Sequence, residues 1–138
     1  MKLIVCTEAE HGVSFFGRRV SRDIEVCKDI LDSLEAEETL WMNAYSAKLF
    51  AFCADERICV EEDFRKKAPG NAVCFAEAEE DLEELSCLEE ITVYRWNRRY
   101  PSDVKFDAER CRQEFRLCSV TEFAGKSHEK ITKEVYRK

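Results

Sequence analysis

What most constrains this chain is a set of short apolar runs, each too brief for a core helix, separated by stretches of helical period. The runs are Lys2–Cys6, Thr39–Met42, Arg57–Val60, Ala72–Ala76 ("AVCFA") and Ile91–Asn97. Apolar stretches this short, bounded by polar or turn residues, read as strands buried in a parallel sheet. After the first run, Ser21 can cap a helix on which Ile24, Cys27, Ile30, Leu31 and Leu34 share one face. The spacing predicts further helices over Ser46–Cys53 and Ala78–Leu88, the latter with Leu82, Leu85 and Leu88 inward. His11–Arg19, containing Gly12 and Gly17, reads as a loop, and Ala68-Pro69-Gly70-Asn71 as a turn. Tyr100-Pro101-Ser102-Asp103 ends the last apolar run. Phe115–Phe123 and Ile131–Arg137 then flank Ala124-Gly125-Lys126-Ser127 as an antiparallel hairpin. The expected fold is α/β: a mainly parallel sheet with helices on both faces and a C-terminal antiparallel hairpin.

The length of 138 residues suits a single domain, and no linker, repeat or low-complexity segment divides it. No apolar run approaches the roughly 20 residues that span a bilayer. Met1–Cys6 runs into Glu8 and Glu10 without a signal peptide's apolar core, so a cytoplasmic location is expected. The eight cysteines form no CxxC pair and most sit among apolar residues, as reduced core thiols do. His11 and His128 are the only histidines, too few for a two-zinc centre, and no metal is expected. No P-loop, HExxH or GxSxG occurs. His128 lies near Glu129 and Lys130 with no serine or cysteine paired to it by sequence, so no catalytic residue is assigned.

The net charge of −7 argues against a general nucleic-acid binder. One local feature points the other way: in "YRWNRRY", Tyr94, Trp96 and Tyr100 interleave with Arg95, Arg98 and Arg99, as in single-strand binders. On a strand, however, Tyr94 and Trp96 fall on one face and Arg95 and Asn97 on the other, which a packed face with a charged outer side explains equally well. Glu77–Glu90 holds eight acids and no base, a solvated surface or a docking face for a basic partner.

Four stretches, taken in order, carry a family resemblance. They are "LIVCTEAEHGVSFFGRRVSRDIEVCKDIL", "LWMNAYSAKLF", "AVCFAEAEEDLEELSCLEEITVYRW", and "RWNRRYPSDVKFD" with "FRLCSVTEFAGKSHEKITKEVYRK". Together they resemble dihydrofolate reductase across most of the chain, with a middle (about residues 54–71) much shorter than that family's adenosine-binding region. "LWMNAYSAKLF", "YRWNRRYPSD" and "SHEKITKEVYRK" are also similar to a short, little-characterised bacterial family whose members are often labelled ribonuclease Z. That label implies tRNA 3′-end processing by two zinc ions on an HxHxDH motif, which this sequence does not contain.

The reductase resemblance implies a substrate pocket and a dinucleotide site. It places Asp23 at the family's pocket carboxylate, one turn into the first helix, where burial would raise its pKa. Val5, Cys6, Cys27 and Tyr94 are the expected walls. Arg18 and Arg19 stand in the mobile loop, either pairing with Asp23, holding an anionic ligand or forming a solvated turn. On the cofactor side, Asn43 and Ala44 replace a glycine and an arginine, and only Ser46 keeps the helix-start hydroxyl. Ala76 and Glu77 replace a diglycine, and Glu77 would face a dianion. The expectation is a dihydrofolate-reductase-like fold without its NADPH site and with no cofactor, a non-catalytic binder or regulator of a small molecule or protein. The alternatives are a hydrolase or nuclease, as the ribonuclease Z label implies, and an interaction module using the acidic segment.

Overall fold

The computed structural model describes all 138 residues, Met1–Lys138. In chain order the elements are β1 (Lys2–Thr7), β2 (Gly12–Phe15), β3 (Arg18–Arg19), α1 (Ile24–Ser33) and β4 (Leu40–Met42). Next come α2 (Ala44–Ala47), running into a 3-10 turn at Lys48–Phe50, then β5 (Ile58–Val60), α3 (Phe64–Lys67), β6 (Val73–Phe75) and α4 (Glu79–Leu82). The chain ends with β7 (Glu90–Arg95), β8 (Val104–Lys105), α5 (Ala108–Glu114), β9 (Arg116–Phe123) and β10 (Ile131–Arg137).

Seven strands form the main sheet in the order β5-β4-β6-β1-β7-β10-β9. β1 runs parallel to β6 and β7, and β4 parallel to β5 and β6. β10 is antiparallel to β7 and β9, so the C-terminal hairpin closes one side of a mainly parallel sheet, as the sequence predicts. The strands alternate their side chains between two cores. Leu3 and Val5 of β1 enter one core with Phe64, Leu82, Leu85, Leu88, Phe106 and Phe115. Ile4 enters the other with Val26, Cys27, Ile30 and Leu31 of α1, together with Tyr94 and Trp96.

Several local expectations change. His11–Arg19 is not an open loop. β2 and β3 form a hairpin, joined by β8 into a small second sheet. Its turn is Phe16-Gly17, both at positive φ (49° and 75°), which glycine accepts without strain. The N-cap of α1 is Asp23, not Ser21, and the N-cap of α2 is Asn43, whose side chain accepts from the Ser46 N–H at 2.9 Å. β7 stops at Arg95, and Asn97 takes a left-handed φ of 58° that asparagine tolerates. The predicted Ala78–Leu88 helix shrinks to Glu79–Leu82, although Leu82, Leu85 and Leu88 are buried as expected. Like charges at i,i+4 (Glu79/Glu83, Glu80/Glu84) and acids at its C-terminal end oppose a longer helix. The acidic segment therefore offers no continuous helical face. No helix is long and apolar enough to cross a membrane.

Candidate functional site

In open parallel sheets, ligands sit beyond the carboxyl ends of the strands, where connecting loops converge. Here the segments after β1, β4, β6 and β7 meet at that edge. The hairpin tip between β9 and β10 joins them. Glu8 organises the first loop from inside: it is 1% exposed, and its Oε2 accepts from the N–H groups of Gly12 (2.6 Å) and Glu10 (3.0 Å).

Asp23 is the centre of the site, but not as a free pocket acid. Its Oδ1 accepts from the Glu25 N–H (3.0 Å) and from the Lys126 N–H (2.9 Å). Its Oδ2 accepts from the Ser127 N–H (2.9 Å) and from His128 Nδ1 (2.9 Å). The carboxylate thus holds the C-terminal hairpin tip against the start of α1, and its side chain is fully excluded from solvent. Burial by itself would push its pKa up. The bonds from His128, Lys126, Ser127 and Glu25 outweigh that and hold the carboxyl well below the usual carboxylate range. The expected raised, proton-donating Asp23 is therefore corrected. The sequence could not show this, because three of the four donors lie more than a hundred residues away in the chain.

The tip is tight. A Cβ on Gly125 would fall 2.4 Å from Asp23 Oδ2 and 2.7 Å from Ile131 Cδ1. Gly125→Ala should therefore cost about 1–3 kcal/mol by overpacking, measured by urea denaturation against the unaltered protein.

His128, 4% exposed, continues the chain of contacts. An ionised Asp23 can only accept, so Nδ1 carries a proton, and in the neutral ring Nε2 is then the acceptor. Ser21 Oγ stands 2.9 Å from Nε2, and the Tyr100 hydroxyl 3.2 Å from it. Trp96 stacks on the imidazole with ring centres 4.6 Å apart. The sequence reading found no serine for His128, and the structure supplies Ser21. No local signal could have paired them, since 107 positions separate the two residues.

On the other side of the crevice, Arg19 does not approach Asp23. Its guanidinium grips Glu77 with two bonds (2.8 and 3.0 Å) and lies over the Tyr45 ring at 4.1 Å. Ser46 Oγ donates to the same Glu77 carboxylate at 2.7 Å. Burial would lower the Arg19 pKa, but the hydrogen bond and charge of Glu77 raise it. The Ala44 N–H donates to Glu62 Oε2 at 2.9 Å. Asn43, Ala44, Ser46 and Glu77 are thus joined by contacts within the chain, and Ala76 is fully buried in the core.

The expected pocket walls separate. Val5 faces the core opposite α1, because neighbouring strand residues point to opposite faces. Cys6 packs on the α1 side, where burial first, and then Glu77, pushes its thiol pKa well up. Tyr94 is buried, and its hydroxyl donates to Asp29 at 2.6 Å. Arg18 is exposed on the β2–β3 hairpin. Of these residues, Tyr94 and Arg19 line two separate clefts, while Cys27 and Asp23 share one, of about 400 Å³, beside α1. Its floor is Ile24, Cys27, Leu49 and Phe52, and its rim carries Arg22, Lys48 and Lys126. The molecule's ion pairs are made by other residues, and none of these three cations takes part. No group of three or more His, Cys, Asp or Glu side chains is placed to hold a metal ion.

No family model matches the sequence, and no curated protein matches it. Among solved structures, the chain is similar to a dihydrofolate reductase from Enterococcus faecalis complexed with NADP(H) and RAB-propyl. The TM-score is 0.67 over 99% of this chain and 94% of that chain, at 7% identity. The fold is therefore that of dihydrofolate reductase, and at this identity the likeness extends to the fold alone.

Proposed function

We propose that this dihydrofolate-reductase-like chain binds a small anionic ligand with an apolar body in the cleft beside α1, and does not use NADPH. The observation that carries the reading is the placement of Arg22, Lys48 and Lys126. Three cations without carboxylate partners ring an apolar floor in a protein of net charge −7. Unpaired positive charge around a concave apolar surface suits an anion attached to a hydrophobic group.

The residues that would cradle a dinucleotide do not fit one. Glu77 sets a carboxylate where a pyrophosphate would approach, and Arg19 and Ser46 are already bonded to it. The Arg19–Glu77 ion pair would have to open before Arg19 could serve a phosphate, which would leave the Glu77 carboxylate facing that phosphate. The N–H groups of Ala44 and Ser46, natural phosphate donors at a helix start, serve Glu62 and Asn43 instead. Hydride transfer from NADPH has no support in this geometry.

The test is fluorescence titration with 8-anilinonaphthalene-1-sulfonate, an aromatic sulfonate, alongside calorimetric titration with NADPH. The sulfonate should bind at one site. Lys48→Gln with Lys126→Gln should weaken it by about 10- to 100-fold, for two charge-assisted contacts of ~1 kcal/mol each. NADPH should give no binding at millimolar concentration. Micromolar NADPH binding with dihydrofolate turnover, or sulfonate binding that ignores the two substitutions, would overturn the reading.

A further inference from the structure

We infer that Ser21, His128 and Asp23 form a nucleophile–base pair with its orienting carboxylate, and that the chain transfers acyl groups from small esters to water. The geometry meets each requirement of such a constellation. Ser21 Oγ is 2.9 Å from His128 Nε2, and His128 Nδ1 is 2.9 Å from Asp23 Oδ2. Asp23 fixes the tautomer that leaves Nε2 free to take a proton. The Trp96 ring, stacked on the imidazole, holds its plane. Exposure is graded in the useful sense: the Asp23 and His128 side chains are buried, while Ser21 is partly open to solvent.

A hairpin latch would need the Asp23–His128 contact and one partner for the buried Nε2, which the Tyr100 hydroxyl at 3.2 Å supplies. Ser21 Oγ, closer at 2.9 Å, is a second hydroxyl on that nitrogen. Two further features favour chemistry there. The backbone N–H groups of Ser21 and Arg22 have no acceptor in the protein, which leaves two unused donors in the chain at the nucleophile. In addition, Trp96 Nε1 is buried beside the imidazole with no partner, a group that a bound molecule or water would satisfy.

In the reaction, Ser21 Oγ attacks the ester carbonyl as its proton passes to His128 Nε2. The C–O bond to the alcohol then breaks, and the alcohol leaves with that proton. Water, activated by the same nitrogen, releases the carboxylic acid and restores Ser21. Asp23 is a positioning residue throughout. A preference for esters that carry a negative charge follows from Arg22, next to Ser21 and on the cleft rim, and this preference alone rests on the reading above.

The test treats the full chain with a neutral alkyl fluorophosphonate, which loses fluoride as Ser21 Oγ bonds to phosphorus. Intact-mass measurement should show one adduct, and peptide mapping should place it on Ser21. Ser21→Ala, shown to be folded by circular dichroism, should lose at least 100-fold in labelling rate and in hydrolysis of p-nitrophenyl acetate. His128→Gln should do the same. Asp23→Asn should shift the pH profile of the labelling rate, which a purely structural carboxylate would leave in place. A folded protein that takes no label, an adduct on Tyr100 or a cysteine, or hydrolysis retained by Ser21→Ala would overturn the assignment. Labelling that succeeds while the aromatic sulfonate fails to bind would retain the triad and remove only the anionic preference.

Discussion

Replacing Asp23 by alanine should destabilise the fold by about 3–5 kcal/mol and release the C-terminal hairpin tip from α1. The carboxylate is the acceptor for His128 and for the N–H groups of Lys126, Ser127 and Glu25. Removing it leaves these donors facing a void, and an unsatisfied buried donor costs more than its hydrogen bond contributed. Hydrogen exchange at Lys126 and Ser127 should rise well before that of β1, separating local release from global unfolding. The pH dependence has a definite sign. The folded-state pKa of Asp23 lies below its unfolded value, so its contribution is fully present above about pH 4–5 and is lost as acid titrates the folded carboxyl. Acid should therefore loosen the tip, followed by the fluorescence of Trp96, which stacks on His128. An Asp23→Ala protein with unchanged unfolding midpoint and unchanged exchange at the tip would contradict this account.

Asp81→Asn should have the opposite effect, raising stability at pH 7–8 by about 1–3 kcal/mol. Asp81 is 7% exposed in α4, and burial first, then the neighbouring Glu80, pushes its pKa up to about 6. A raised carboxyl pKa means that the folded state binds a proton more tightly than the unfolded one. Stability contributed by that proton is complete below about pH 4 and declines as pH rises through about 6. The neutral amide removes this loss, so the benefit should be largest at pH 8 and absent at pH 3.5. Arg65 offsets part of the penalty by its nearby charge but donates to the Asp81 backbone carbonyl, leaving the carboxylate without that bond. Urea unfolding of both proteins across this range tests it. A gain that does not change with pH would point to a cause other than ionisation.

The sheet was legible because burial on both faces writes itself into short uninterrupted apolar runs. β4, β5 and β6 lie within the segments that composition and period marked, β1 and β7 overrun theirs by one residue each (Thr7 and Glu90), and β9 and β10 match the expected hairpin closely. α1 was legible through the spacing of Cys27, Ile30 and Leu31. Its cap was not, because Ser21 and Asp23 are both good N-caps and only the hairpin tip decides between them. The short helices α3 and α5 and the strand β8 carried no readable signal, as elements of two to seven residues depend on packing more than on pattern.

The candidate site divides in the same way. The sequence pointed to Asp23 as its centre, and to Glu77 as a charge unsuited to a phosphate. It assigned Asp23 a raised pKa and grouped Val5, Cys6, Cys27 and Tyr94 around one pocket, because it could not show what else would arrive. Local order and residue type determined the strands, the first helix and the acid at its start. Tertiary structure alone decided that Arg19 would turn to Glu77, that Val5 would face away, and that Ser21 and His128 would meet across Asp23. The physical reason is range: apolar period acts over a few residues, whereas a buried charge takes its partners from wherever the folded chain brings donors within about 3 Å.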